Sequence, residues 1–341
     1  MPRQPENGEP EAPARTRPAT SVDVARLAGV SRATVSHVLN DQTEKFNAET
    51  VERVRNAAAA LGYVRSAAGR ALARGHSDLI VVVVPSTTFI RLQEVIEVLS
   101  ADIHERGFST VVHFSVSRAG GEPQKRLLHL VETMRPVGVV DLGGLAPRDR
   151  DLIEKTGCTV LPRGDAFDPN RLIGTMQARH LHERGLTRFA YAFLANVRDD
   201  PYGRSRSAAV AAYCSAEGLP EPLRVRVPIE PEGAQEALWA VVERCGRPVG
   251  LACYNDEVAI AAVFAARRLG LRVPDEVAVI GAEGPGIGQA VSPRVTTVLG
   301  DVPAAVRHIR HLLARTFGGP VPAEGAAAQE DAYTILPGET T

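Results

Sequence analysis

The sequence predicts two architectures in one chain: an N-terminal all-α helix-turn-helix unit, and a longer α/β region folded as two similar lobes. Between residues 20 and 64, three short amphipathic helices are separated by turn signals. From Leu79 onward, short apolar runs rich in strand formers alternate with stretches of helical length. Charge divides at about the same place. Residues 15–76 carry ten Arg or Lys and five Asp or Glu, a net of +5, while residues 1–14 net −2 and residues 77–341 net −4. The formal charge of −1 over 341 residues is therefore a cancellation. It does not argue against a nucleic-acid reader joined to something else.

The first 19 residues are rich in Pro, Glu and Ala and lack apolar periodicity, which predicts a disordered tail. Thr20-Ser21-Val22-Asp23 has the form of a capping box, so a first helix should run from about Val22 to Ala28. Val24, Ala25 and Ala28 form its apolar stripe, Gly29 breaks it, and Val30 plugs the turn. Ser31 caps a second helix from Arg32 to about Asn40, with Val35, Val38 and Leu39 facing inward. Its other face is small, polar or cationic: Arg32, Ala33, Thr34, Ser36, His37 and Asn40. Asn47 caps a third helix with apolar positions Val51, Val54, Ala58 and Leu61, ended by Gly62. Helix, short Gly-containing turn, helix is the helix-turn-helix pattern. A small polar N-terminal face is what a major groove admits. An ordinary three-helix bundle with a polar outer face has the same pattern.

The strand-like runs of the second region are 79–84, 109–114, 137–142, 188–194, 249–253 and 277–281. Their near-continuous apolar character indicates parallel sheets buried on both faces. Several helices should end at Gly107, Gly185, Gly218 and Gly270, each followed by an apolar residue that packs back. The repeat covers about 260 residues, long for one open sheet and suited to two lobes. Eight evenly spaced βα units are not evident, so a closed barrel ranks second.

Composition excludes several classes. No apolar run approaches the roughly 18 residues of a membrane span, and the N-terminus lacks the apolar core of a secretory signal. A cytoplasmic location is expected. Cys158, Cys214, Cys245 and Cys253 form no CxxC pair and no zinc spacing, so each should pack as a small hydrophobe. His308 and His311 lack a third ligand and are expected at the surface. No G-x-S-x-G elbow, phosphate loop or metal cluster supports an enzyme, and no cofactor is expected. The glycines of 281–288 do not make G-x-G-x-x-G, and Pro285 interrupts them. Trp239, a lone aromatic on a helix, is expected in the core.

Taken literally, TSVDVARLAGVSRATVSHVLN (20–40) and ETVERVRNAAAALGYVRSAAGRALARG (49–75) resemble the lactose-repressor (LacI/GalR) family of transcription regulators. The resemblance runs through all three helices and the following linker, and more loosely over the α/β region. It implies a helix-turn-helix domain at 20–65 and a hinge helix at 66–76. Residues 77–341 would form a two-lobed, periplasmic-binding-protein-like domain for effector binding and dimerisation.

The resemblance also implies roles. Arg32, Ala33 and His37 would read bases, Ala33 by apolar contact alone. Ser31, Thr34, Ser36, Asn40 and Thr50 would fix the backbone register, with Ser21 and Val22 beside the groove. Leu72 matches the hinge leucine that wedges into the minor groove, and Arg70 would lie near phosphates. Gly69 stands where alanine is more usual, costing the hinge helix about 0.8–1 kcal/mol. In the cleft, Arg206 matches the effector-contacting arginine, with Arg204 as competitor. Asn255 and Asp256 stand at a strand end, and Glu283 replaces the usual ligand-binding Asp in an atypical turn. Thr87 and Phe89 match the cleft entrance. Arg206 and Asp256 could equally form a structural ion pair or a helix cap.

The expected function is therefore a non-enzymatic, sequence-specific DNA-binding regulator, most simply a repressor. It would act as a homodimer on a near-palindromic operator, under control of a small molecule, by family default a sugar or sugar derivative. The alternatives are a regulator that has lost small-molecule sensing, and a solute-binding protein or enzyme on the same scaffold.

Overall fold

The computed structural model describes residues 19–40, 42–64, 71, 74–85, 92–115, 124–162, 168–195, 201–282, 284, 286–320 and 332–341. Contacts divide the chain into two compact units, Met1–Gly75 and His76–Thr341.

The first unit contains α1 (Ser21–Ala28), α2 (Arg32–Leu39) and α3 (Ala48–Ala60). The capping box at its start is complete. The Thr20 hydroxyl accepts from the Asp23 amide, and the Asp23 carboxylate accepts from the Thr20 amide at 2.9 Å. Capping moves the helix start to Ser21, one residue earlier than the pattern predicts. Gly29 takes φ 64° and closes α1, a conformation that other residues adopt only under strain. Val24, Ala25, Ala28, Val35, Val38, Val54, Ala57 and Ala58 form the core, flanked by Val30, Leu39, Phe46, Val51 and Tyr63. All three helices contribute to it, because none can bury its stripe alone.

The second unit is built on two sheets. Strands β1 (Leu79–Pro85), β2 (Ser109–Ser115), β3 (Gly138–Asp141) and β4 (Thr159–Leu161) form a parallel sheet of order β2-β1-β3-β4. The other sheet holds β5 (Phe189–Leu194), β6 (Leu223–Val227), β7 (Val249–Cys253), β8 (Val277–Ala282), β9 (Thr296–Gly300) and β10 (Tyr333–Leu336). Its order is β10-β9-β8-β7-β5-β6, with β10 antiparallel to β9. The helices are α4 (Leu92–Glu105), α5 (Lys125–Met134), α6 (Pro147–Lys155), α7 (Pro169–Glu183), α8 (Pro201–Ala216), α9 (Pro231–Cys245), α10 (Asp256–Arg268), α11 (Val302–Ala305) and α12 (Arg307–Phe317).

Both sheets are covered on both faces, as their apolar runs require. Ile80, Val82 and Val84 pack with α4, α11 and α12 on one side, and Val81 and Val83 with α5 and α6 on the other. In the six-stranded sheet, α9 and α10 cover one face while α7 and α8 cover the other. The chain passes between lobes after β4, after β9 and before β10. Segments α11 and α12 thus return to the first lobe, where Val302, Val306 and Leu313 join its core.

Gly107, Gly185, Gly218 and Gly270 take φ between 67° and 85°. The amides of Phe108, Leu186, Leu219 and Leu271 reach back to Ile103, Leu181, Cys214 and Ala266, the six-to-one bond of a glycine-terminated helix. Three cysteines are buried and Cys245 is half-buried. Trp239 corrects the sequence reading, since it is 48% exposed. The buried stripe of α9 runs through Ala234, Ala237, Leu238, Val241 and Val242, and Trp239 falls off it. Among the described residues, no helix is long and apolar enough to cross a membrane, and no group of His, Cys, Asp and Glu could hold a metal.

Candidate functional site

Two sites emerge, one in each unit. The first is the outer face of α2. Ser31 caps it, its hydroxyl accepting from the Thr34 amide at 3.0 Å and lying 2.9 Å from the Thr34 hydroxyl. Val35 and Val38 are buried, which turns Arg32, Ala33 and Ser36 out to solvent. His37 is half-buried: its Nδ1 lies 2.7 Å from the Ala33 carbonyl oxygen, and its ring sits 6.1 Å from that of Phe46. Asn40 closes the helix as its C-cap, and Val22 is exposed beside half-buried Ser21. The Thr50 amide donates to the Asn47 cap at 2.8 Å. These residues share one unit and one compact core. Arg70 and Leu72 lie outside the described residues.

The second site is a cavity of about 390 Å³ inside the second unit, between the two sheets. Leu92, Val95, Leu142, Val302, Val306 and Ile309 supply much of its wall from the first lobe; Ile173, Val298 and Tyr333 supply it from the second. Polar side chains enter at strand ends and helix starts. Asp141, at the end of β3, accepts from the amides of Gly143, Gly144 and Leu145 at 2.8–3.1 Å and from Arg150 at 3.0 Å. Burial pushes the Asp141 carboxyl up, against the Arg150 charge and the three amides. Asp168 caps α7, accepting from the Asn170 amide at 2.9 Å and from the Ser205 hydroxyl. The Tyr202 hydroxyl donates to the Leu142 carbonyl, joining the two walls.

Arg206 lies on this wall and is 1% exposed. Its Nε donates to Asn170 Oδ1 at 3.0 Å, its Nη1 donates to the Tyr254 carbonyl, and its guanidinium sits 5.2 Å from the Tyr254 ring centroid. Arg204 is exposed and does not line the cavity. Helix α7 approaches α8 so closely that a Cβ on Gly174 would lie 2.3 Å from the Arg206 carbonyl oxygen. That contact sets the depth of the arginine.

The structure does not bring Asn255 and Asp256 to the cavity wall. Asn255 caps α10, its Oδ1 accepting from the Val258 amide at 3.0 Å. Asp256 is 2% exposed and accepts from the Thr297 hydroxyl at 2.6 Å. Burial raises its carboxyl to about 6, with Thr297, the Ala282 amide and the Arg206 charge acting against it. Thr87, Phe89 and Glu283 lie outside the described residues. His308 corrects the surface expectation: it is half-buried and lines the cavity, because α12 packs back onto the first lobe. Sequence reasoning missed Asp141, Asp168, Asn170, Tyr202 and Ser205. Asp168-Pro169 carried a usable signal, a cap followed by a proline at the first helical position.

A three-helix unit with a polar reading helix, followed by a two-lobed α/β unit with a cleft, defines the class of ligand-responsive DNA-binding regulators. Residues 21–66 match the family model of bacterial regulatory proteins of the lacI family, and residues 178–341 match that of the periplasmic binding protein-like domain. The chain thus joins a lacI-type helix-turn-helix domain to a periplasmic-binding-protein-like domain. It is a DNA-binding transcriptional regulator, not an enzyme. It is 29% identical over 303 residues to the HTH-type transcriptional repressor PurR of Pectobacterium carotovorum subsp. carotovorum (strain PC1), covering 82% of this chain and 85% of that protein. Its fold is shared with a lac repressor dimer bound to operator and the anti-inducer ONPF: TM-score 0.72, 22% identity, 95% of this chain and 99% of the other. A complex of the regulator CelR with cellobiose superposes with TM-score 0.59 at 23% identity, covering 95% and 100%.

Proposed function

We propose that the chain represses transcription from the cytoplasm, as a homodimer on a near-palindromic operator, under the control of a small molecule in the cleft between its lobes. The observation that carries the reading is the outer face of α2, where Arg32, Ala33 and Ser36 stand exposed above buried Val35 and Val38. Arg32, Ala33 and His37 would meet base edges. Ser31, Thr34, Ser36, Asn40 and Thr50 would meet the backbone, with Ser21 and Val22 beside it. Arg70 and Leu72 would serve the hinge. The test is selection of randomised duplexes by the full chain. Arg32→Ala should cost about 1–3 kcal/mol at one operator position, whereas equal loss on every sequence would remove base reading.

The finer reading of the effector is a sugar or sugar derivative. Arg206 on the cavity wall supports a polar contact there, and the CelR–cellobiose likeness supports a carbohydrate. The volume suits a small molecule. Asn255 and Asp256 sit off the wall, which favours a pocket chemistry of this chain's own. A thermal-shift panel of mono- and disaccharides, sugar phosphates and nucleobases separates the outcomes. A response to sugars supports the reading, a response to another class replaces it, and no response at millimolar concentration favours lost sensing.

A further inference from the structure

We infer that His37 acts in the major groove as a hydrogen-bond acceptor, selecting a base that offers an exocyclic amino group, adenine N6 or cytosine N4. The inference rests on α2 being the groove-reading helix, and it adds which atom reads and with what polarity.

His37 Nδ1 lies 2.7 Å from the carbonyl oxygen of Ala33, one helical turn back. A carbonyl oxygen only accepts, so this bond requires the ring proton on Nδ1. A neutral imidazole carries a single ring proton, which leaves Nε2 with a lone pair. Among the described residues the ring makes no other hydrogen bond. The Phe46 ring, 6.1 Å away and tilted by 53°, packs beside it. Flipping the imidazole would give up the Ala33 bond. Ala33 itself is exposed and ends at Cβ, so no long side chain stands beside the imidazole on that turn.

The groove then sorts the bases. Guanine presents the acceptors N7 and O6, and thymine presents O4. Cytosine presents the N4 amino group, and adenine presents N6 beside N7. An acceptor on the protein bonds an amino group and is repelled by a carbonyl. Arg32, with donors only, has the opposite polarity. Two readers of opposite polarity on one short helix would fix the direction in which a half-site is read.

The test uses the full chain and randomised duplexes at pH 8, with the wild type, His37→Arg and His37→Gln selected in parallel. The base pair whose preference changes between wild type and His37→Arg is the one that residue 37 faces. At that pair the wild type should select adenine or cytosine on the strand where His37→Arg selects guanine. His37→Gln should select adenine there. Discrimination by the wild type should be about 3- to 10-fold, as for one hydrogen bond. Selection of guanine or thymine by the wild type, or the same base by wild type and His37→Arg, overturns the inference while leaving α2 as a reader. If His37→Arg fails to bind, the pair is the one whose preference changes between wild type and His37→Gln, and selection of guanine or thymine there by the wild type overturns the inference. Absence of selection at every position would instead overturn the DNA-reading assignment of α2.

Discussion

The carboxylate of Asp256 fills the space that a side chain on Gly281 would need: a Cβ placed there would lie 2.1 Å from Asp256 Oδ1. Cβ atoms on Gly284 and Gly288 would each lie 3.2 Å from Oδ2. Gly281, Gly284 and Gly288 thus pack around a buried carboxylate, which accounts for these three without a phosphate ligand. Gly281→Ala should destabilise the second unit by about 1–3 kcal/mol through overpacking. Nothing lies within 4 Å of a Cβ on Gly286, so Gly286→Ala should stay much closer to wild type. Urea midpoints at constant slope would check the pair; equal losses would show that the Asp256 contact is not the cause.

Asp256 also makes the stability of this lobe depend on pH. An aspartate in the unfolded chain titrates near 3.9, whereas burial raises the folded carboxyl to about 6. The folded state therefore holds the proton more tightly in that window. This contribution to stability is present below about pH 4 and is lost as pH rises through about 6. Above that, the ionised carboxylate depends on the Thr297 hydroxyl at 2.6 Å. Thr297→Val should cost about 1.5–3 kcal/mol at pH 7.5 and clearly less at pH 4.5. A loss that is the same at both values would mean that Thr297 serves packing alone.

The caps of the first unit make a third prediction. Ser31 ties the start of α2 through the Thr34 amide at 3.0 Å. Ser31→Ala should cost about 1 kcal/mol, and exchange of the Thr34 amide should quicken about fivefold. Thr20→Ala, which breaks the capping box of α1, should destabilise that helix by a similar amount and leave Thr34 exchange less affected. Hydrogen exchange on the full chain distinguishes the two.

Much of this was legible in the sequence, for physical reasons. Caps, glycine stops and apolar stripes act within a few residues, so Thr20, Ser31, Asn47 and Gly29 could be placed by inspection. Central strands such as β1, β7 and β8 are buried on both faces and read as unbroken apolar runs. The strands missed have weaker local signals. β4 has three residues, β6 is an edge strand that exposes Arg224 and Arg226 alternately, β9 offers only Val298 and Leu299 as apolar side chains, and β10 is an antiparallel edge. The cavity was legible only in part. Arg206 could be picked out by motif, but its partners Asn170 and Tyr254 lie 36 and 48 residues away, and only the fold assembles them.

Arg206 carries the last prediction, because it has both structural and ligand-facing surfaces. It is buried, bonds Asn170 and the Tyr254 carbonyl, and holds a positive charge near Asp256. Arg206→Lys keeps the charge but cannot span both partners with a planar fork. Loss of one buried polar partner should cost about 1–3 kcal/mol of stability, and the Asp256 carboxyl should become harder to ionise. The DNA-reading unit has its own core, so operator affinity without ligand should stay within about twofold of wild type. The response to any compound that binds the cleft should be lost or strongly reduced. Unfolding curves, operator titrations and the thermal-shift panel together decide the role. An unchanged response would move the ligand contact away from Arg206. Operator affinity falling in step with stability would mean that Arg206 supports the fold and does not sense the ligand.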